Sequence, residues 1–541
     1  MKILILYANN EGYFRCPIGL TLIMTILRDE GHEVKLFDTT FTASTDNKDN
    51  RMREKLETVK SVPTAHLFKK QSNEKLISAW IKTIKDFKPD LIAASIIEDL
   101  YKFCGTFLDA AKENFDIPIA VGGVTPSLSP NIVIEHPSID MIIQGEGEIA
   151  FKELVIALKN KTSLSEVPNL WYKENGKVIR NKLTRFMDLN KLPYQRLDFW
   201  DKRHFNKPYN GTMYKLGSFE LSRGCMHKCH YCFNRYMQTA IPASEVGKYR
   251  RNKSIETIIR EVKELHKEHN FGLIMFTDDN FLGRSFSDMD EFYERWNKEI
   301  NIPYWINTCI ETLNEQNLPK LKKSQCIGIS IGMETGSEWI RRNLLLKGKM
   351  TNDMYYEGFK MMTKHGIRST CNVMIGFPGE YEEDVFDTIK LNKKIRALDP
   401  ELTSCKMSYV APYAGTVIHN ISMDLGLIEV DDKPGYKGLT KNISTFKEPL
   451  IKNPNMSKER ITELFHDFSD YINGKKDIPE KFLNIDPLRK FAKNDSTHKI
   501  YELYKEGPRD IEPEKINTLK YELKKIKKLT SQRQTFATKA V

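Results

Sequence analysis

Two long series of short apolar runs, each followed by a helical stretch, constrain this 541-residue chain more than any other feature. The first series starts with KILILY at 2–7 and continues through Glu33 to Phe37, LIAASI at 91–96, IPIAVGG at 117–123 and DMIIQGEGE at 140–148. Between these runs lie helical patterns from Pro17 to Glu30, near 102–114 and near 129–136, and a polar, Lys-rich helical insertion at about 45–88. Pro17 is placed to open its helix and Gly31 to close it. Strands alternating with helices predict a doubly wound, Rossmann-like parallel sheet over 1–160.

The second series comprises KLGSFELS (215–222), GLIMFTDDNF (272–281), YWINTCI (304–310), CIGISIGMET (326–335), RSTCNVMIGFPGE (368–380) and ELTSCKMSYVAPYAGT (401–416). Helical stretches over 254–268, 285–299, 351–365 and 381–396 separate them. Six parallel strands with intervening helices predict a partial, TIM-like (β/α)6 barrel over 215–420. Residues 161–214 read as a linker with a hairpin, marked by the turn signals Glu174-Asn175-Gly176-Lys177 and Leu192-Pro193-Tyr194. Residues 421–541 read as a polar, Lys-rich helical region containing KYELKKIKKL at 520–529. The fold class is α/β.

Ligands of such folds sit at strand carboxyl ends. In the first series these ends carry Ser95, Gly122-Gly123 and Gly145-Glu146-Gly147, where glycine lets backbone approach a bulky ligand. Turn formation explains the same glycines equally well. In the second series they carry Asp278-Asp279-Asn280, Glu334, and Asn372 to Gly376. Paired carboxylates can receive an ammonium group and Glu334 can accept from hydroxyls, while helix capping competes for Asp278, Asp279, Thr335 and Ser337.

Cys225-Met-His-Lys-Cys229-His-Tyr-Cys232 follows the first strand of the second series. Three thiols within eight residues can close on one metal centre, zinc or iron–sulfur. A zinc knuckle would need His227 or His230 as well, and three unrelated buried cysteines are the plain alternative. The other six of the nine cysteines are scattered singles, without a disulfide framework, which suits a reducing compartment. No apolar stretch is long enough for a membrane span, and the start lacks a signal-peptide pattern, so the cytoplasm is the expected location.

The spacing Cys-x3-Cys-x2-Cys, with Tyr231 before the last cysteine, resembles the signature of the radical S-adenosylmethionine (SAM) superfamily. The motifs around Glu334, Gly376 and Tyr413 to Thr416 extend the likeness over roughly 215–420. The resemblance implies that Cys225, Cys229 and Cys232 hold a [4Fe-4S] cluster whose fourth iron chelates SAM. It assigns SAM contacts to Tyr231, Phe233, Asp278, Asp279, Glu334, Asn372 and Gly376. VGGVTPSLSP…IDMIIQGEGE and RCPIGLTLIMTILRDEGHEVKLFD resemble the cobalamin-binding domain that precedes the barrel in one subfamily. Ser95, Gly122, Gly123, Gly145, Glu146 and Gly147 are then the expected cobalamin contacts. One departure stands out: Asn9 to Arg15 replaces the Asp-x-His-x-x-Gly loop, so no histidine from this loop can ligate cobalt from below.

The resemblance implies a 5′-deoxyadenosyl radical and, with methylcobalamin, methylation of an unactivated carbon or a phosphinate of a small molecule or lipid precursor. An electron donor such as flavodoxin or ferredoxin is implied as partner. A radical cyclase or rearrangement enzyme is the alternative within the family, and loss of cobalamin another. A corrinoid- or metal-binding sensor or nucleic-acid-binding protein is the alternative from another class, prompted by the formal charge of +11. About half of that excess lies in residues 451–541, with 20 Lys and Arg against 14 Asp and Glu, which reads as a solvated helical surface rather than a nucleic-acid site. A tRNA-modifying enzyme of the same superfamily is disfavoured by the absence of a second cysteine trio.

Overall fold

The computed structural model describes residues 1–45, 54, 60–239 and 243–484. The stretch at 520–529, and with it the part of the expected C-terminal helical region beyond residue 484, lies outside them, as does much of the insertion between 45 and 60.

Two seven-stranded sheets carry the fold. In the first, β1 (Lys2–Tyr7), β2 (Glu33–Asp38), β3 (Leu91–Ser95), β4 (Ile119–Gly122) and β5 (Met141–Ile143) are parallel in the order β2-β1-β3-β4-β5. The interior strands are buried along nearly their whole length, as strands covered by helices on both faces must be. Strand order reverses between β1 and β3, the switch point where a crevice opens at the carboxyl edge. The sheet continues past residue 160, because β6 (Leu170–Glu174) and β7 (Lys177–Arg180) add to β5 antiparallel. This is the hairpin read as part of the linker. Its turn residues Asn175 (φ 50°) and Gly176 (φ 74°) have the paired positive φ that matches a tight turn to strand twist.

In the second sheet β8 (Asn206–Tyr209) lies antiparallel beside β9 (Thr212–Phe219). A small separate ribbon follows, β10 (Ser222–Arg223) with β11 (Arg251–Asn252). Then β12 (Leu273–Phe276), β13 (Tyr304–Thr308), β14 (Cys326–Glu334), β15 (Arg368–Ile375) and β16 (Thr403–Tyr409) continue parallel to β9. Six parallel strands curl into the open barrel. The intervening helices begin where the sequence caps them. Ser254 accepts from Thr257 N at 3.1 Å to open Ile255–His269, and Asn270 at φ 50° ends it. The stretch expected as one helix over 285–299 is α-helical over Phe286–Arg295 and widens to a π turn over Trp296–Ile300, which sets Trp296 fully into the core.

One apolar core runs from Ile3, Ile5 and Leu154 of the first half through Trp200 and Phe205 of the connector to Ile306 and Ile331 in the barrel. A second core, with Leu4, Trp80 and Phe107, fills the other face of the first sheet. After β16 the chain crosses back. Ala414 N and Thr440 N donate to the buried Glu98 carboxylate at 2.8 and 3.2 Å, and the ring of Tyr436 lies 4.6 Å from that of Tyr101. The helix Lys458–Ile472 then packs on the barrel, Phe465 stacking on Tyr409 at 4.1 Å. Among the described residues no helix is long and apolar enough to cross a membrane.

Candidate active site

The cysteine motif occupies the loop after β10. Gly224 turns into it with φ 87°, and a Cβ there would stand 2.9 Å from the ring of Tyr249. Gln238 Nε2 donates to the carbonyls of Cys225 and His227, 2.8 Å each, and Cys232 N donates to Cys229 O at 3.1 Å. The loop is thus closed through its backbone carbonyls and amides, with none of the three thiols in a disulfide. Cys309, at the end of β13, donates its thiol hydrogen to Cys225 and lowers the Cys225 pKa to about 6. Burial instead pushes Cys229 up to about 11 and Cys232 up to about 12. Three soft donors in one loop fit a thiolate-held iron–sulfur cluster, whose loading must displace the protons of Cys229 and Cys232. His227, one of the two histidines a zinc knuckle could recruit, is engaged elsewhere, its Nε2 2.6 Å from Glu311 Oε1. His230 is buried and held neutral, its pKa pushed down to about 3 by desolvation. Donor atoms of His227, Cys309 and Glu311 lie within 4.8 Å of one another beside the motif.

Deeper in the barrel, Glu334 stands at a bulge between β14 and β15, with φ 70°. A non-glycine residue holds that conformation only where its surroundings enforce it. Tyr231 Oη donates to Glu334 Oε1 at 2.7 Å and Lys347 Nζ to the same oxygen at 2.8 Å. Lys347 Nζ also reaches Gly332 O at 2.8 Å, and a Cβ on Gly332 would stand 2.3 Å from Glu334 Oε1. Burial opposes the Lys347 ammonium, yet the facing carboxylate holds its pKa well above the ordinary value. Both donors anchor one carboxylate oxygen, a geometry that leaves Oε2 for a ligand.

The Asp278-Asp279 pair divides. Asp278 is buried, accepting from Leu221 N at 2.9 Å and from the Ser222 hydroxyl, and burial raises its pKa to about 6. It braces the segment after β9 and is not turned to a ligand, and β12 ends at Phe276 rather than running to 281 as expected. Asp279 opens on the cavity described next, and its neighbour Asn234 donates to it. On β15, Asn372 Nδ2 donates to Ser330 Oγ and Ile331 O at 2.8 and 3.2 Å. Gly376 (φ 92°) gives its amide to the buried Glu380 Oε2 at 2.7 Å, so its N–H is closed to an adenine.

Between the halves lies a cavity of about 380 Å³. Ser95, Gly122, Gly123, Gly145, Glu146 and Gly147 line it from the carboxyl edge of the first sheet, and Phe233 and Asp279 from the barrel side. A Cβ on Gly123 (φ 104°) would stand 2.8 Å from Ile96 O, and one on Gly147 2.9 Å from Ile23 Cδ1. This glycine-rich edge fits the flat face of a macrocycle. Glu146 is the exception, its carboxylate held by Arg251. The first loop carries no histidine. It is filled by Asn9, which donates to Tyr13 O and Thr40 Oγ1 at 3.1 Å each, and by Phe14, stacked on Phe41 and Phe68. The nearby buried His204 has both ring nitrogens engaged, with Asp38 at 2.6 Å and Arg15 N at 3.3 Å. Among the described residues no histidine lines the cavity.

Sequence reading missed Lys347, Cys309, Glu311, Glu148, Arg223 and Arg251. Arg223 had a signal, since it directly precedes Gly224-Cys225. Lys347 had none, being joined to Glu334 only by folding.

Comparison with known proteins places two family domains in the chain. The radical SAM superfamily model matches residues 219–391, and the B12 binding domain model matches 64–155. An uncharacterized methyltransferase of Pyrococcus horikoshii is 26% identical over 500 residues, 89% of this chain and 95% of that protein. The anaerobic magnesium-protoporphyrin IX monomethyl ester cyclase of Rubrivivax gelatinosus is 22% identical over 447 residues, 78% and 74% of the two chains. The methyltransferase TsrM of Kitasatospora setae, solved with cobalamin and a [4Fe-4S] cluster bound, superposes with a TM-score of 0.58 at 15% identity, over 87% of this chain and 84% of that one, a likeness of fold. With its cluster-competent thiols, its glycine-lined crevice and both domain signatures, the chain is an enzyme that joins a B12-binding domain to a radical SAM domain and uses SAM, a [4Fe-4S] cluster and cobalamin.

Proposed function

We propose that the protein is a cobalamin-dependent radical SAM methyltransferase acting on an unactivated carbon, or a phosphinate, of a small molecule or lipid precursor. The observation that carries this reading is the shared cavity, in which the glycine edge of the first sheet faces the barrel mouth across about 380 Å³. The similarity to a methyltransferase over 89% of the chain points the same way. When bound, the cofactors supply a 5′-deoxyadenosyl radical and a transferable methyl group. In this reading Cys225, Cys229 and Cys232 hold the cluster. Tyr231, Lys347 and Glu334 present a fixed carboxylate oxygen to SAM, Asp279 offers a charge at the cavity wall, and Phe233 and Asn372 shape the pocket. Ser95, Gly122, Gly123, Gly145 and Gly147 receive the corrinoid through backbone, with no histidine beneath it. The enclosing core keeps water from the radical. Nine unpaired thiols suit a cytoplasmic location and a flavodoxin- or ferredoxin-class electron donor.

A second reading, a radical cyclase or rearrangement enzyme, draws on the similarity to the cyclase. Anaerobic reconstitution with iron, sulfide and hydroxocobalamin, followed by product analysis, separates the two. S-adenosylhomocysteine formed together with 5′-deoxyadenosine is expected of the methyltransferase. 5′-Deoxyadenosine alone, from corrinoid-loaded enzyme turning over its substrate, supports the cyclase. Failure to take up corrinoid sinks the methyltransferase reading.

A further inference from the structure

Five charged side chains from three parts of the chain meet at the cavity wall. Arg223 Nη2 pairs with Glu148 Oε1 at 2.7 Å and Glu220 Oε1 at 2.9 Å, its Nε donates to Glu220 Oε1 at 3.0 Å, and its Nη1 lies 3.5 Å from Glu146 Oε1. Arg251 forks onto both oxygens of Glu146 and donates to Met187 O at 2.7 Å. Glu146 and Glu148 belong to the strand-end loop and first helical residue of the corrinoid half. Glu220, Arg223 and Arg251 belong to the barrel half, and Met187 to the connector. Side chains of both arginines are only 15% exposed, and that of Glu148 only 4%. Arg223 and Arg251 are also backbone partners in the β10–β11 ribbon, so the two guanidinium groups are carried on one rigid unit.

Position makes this cluster more than a generic contact between halves. Arg223 stands two residues before Cys225, separated from it only by Gly224, whose φ of 87° fixes the turn. At the other end, Glu146 and Glu148 flank Gly147 in the edge that faces the cavity. One ion cluster therefore connects the residues on either side of the cavity with almost no intervening chain. The planar guanidinium fork fixes direction as well as distance, which a flexible ammonium does not. Three carboxylates share two guanidinium groups, so loss of either guanidinium strands buried carboxylate charge.

We propose that Arg223 is a positioning residue that sets the separation and tilt of the corrinoid relative to the iron–sulfur cluster, acting through Glu148, Glu220 and Glu146. The proposal rests on the reading that both cofactors bind as described above. Methyl transfer needs the substrate radical to meet a methyl group held at one distance, and an error of about 1 Å can cost about 10²-fold in rate.

The test uses reconstituted holoenzyme with cob(II)alamin and the one-electron-reduced cluster, both paramagnetic, and reads their separation by pulsed dipolar EPR without any substrate. Wild type should give one narrow distance distribution. Arg223→Lys, which keeps the charge but loses the fork, should shift its mean by about 1 Å or broaden it to that extent, with iron and corrinoid content unchanged. Glu148→Gln should do the same to a smaller degree, and it decides the matter if Arg223→Lys fails to fold or to load. Lys102→Ala, which breaks the Lys102–Asp431 pair elsewhere on the junction, should leave the distribution as in wild type. A distribution unchanged in the variant that loads overturns the proposal while leaving the cofactor reading intact. A shift equally large in Lys102→Ala also overturns it, since any loosened junction would then suffice. Absence of a cob(II)alamin signal in wild type defeats both.

Discussion

The two halves use one strand grammar to build opposite kinds of ligand edge. Around Gly122, Gly123, Gly145 and Gly147 the first sheet presents bare backbone, and the charge it does carry, Glu146 and Glu148, is already committed to arginines. Inside the barrel the strand ends carry buried charges and thiols: Glu334 with Lys347, Asp278 on Leu221 N, and the cysteine trio. A large, flat ligand is selected by removing side chains, because dispersion and close approach supply the affinity. A small charged ligand is selected by pre-set charges in a low-dielectric interior. The difference teaches that the same fold class can be tuned to either ligand at the strand ends alone.

This contrast can be broken by exchanging its terms. Cys229→Ala should give the largest effect: iron and sulfide analysis should show loss of the cluster, and 5′-deoxyadenosine should fall below detection, while corrinoid uptake persists. Simultaneous loss of corrinoid would show that the halves do not bind independently. Lys347→Met removes one partner of a buried pair and should cost about 3–5 kcal/mol in chemical denaturation. Adding Glu334→Gln should recover much of that stability but not SAM affinity, measured by equilibrium dialysis of the cluster-loaded protein. If SAM binding also recovers, the carboxylate is structural. Smallest is Gly123→Ala. Its backbone, at φ 104° and ψ −167°, is a region open essentially to glycine alone, so strain of about 1–3 kcal/mol is expected. Corrinoid retention on gel filtration should drop while iron content stays at the wild-type level. Unchanged retention would mean that the bare edge is only a turn.

Legibility in the sequence followed the same divide. Alternating apolar runs placed the parallel strands of both sheets, because period and length are local properties. The Asn175-Gly176 turn was readable, and Asn210-Gly211 (φ 47° and 79°) carried the same signal for the β8–β9 hairpin but went unread. That hairpin β6–β7 would join the first sheet was not readable, since edge pairing depends on which strand is left open. The glycines and cysteines could be named from position alone. What those residues would be paired with could not. Lys347 and Glu334 are thirteen residues apart but joined through a bulge, and Arg223 finds Glu148 seventy-five residues upstream. Asp278 and Asp279 look equivalent in sequence, and only the folded contacts distinguish them, Asp278 accepting from Leu221 N and the Ser222 hydroxyl and Asp279 lining the cavity.

The return of the chain after β16 has a mechanical consequence. The halves are tied first by the connector and again by the segment from Ala414 to Thr440, both ends of which are fastened to Glu98. A body joined to another at two separated points loses most of its rotational freedom, and here the shared apolar core and the Arg223–Arg251 ion cluster restrain it further. One buried carboxylate thus holds both ends of the strap by which the barrel half returns to the first sheet.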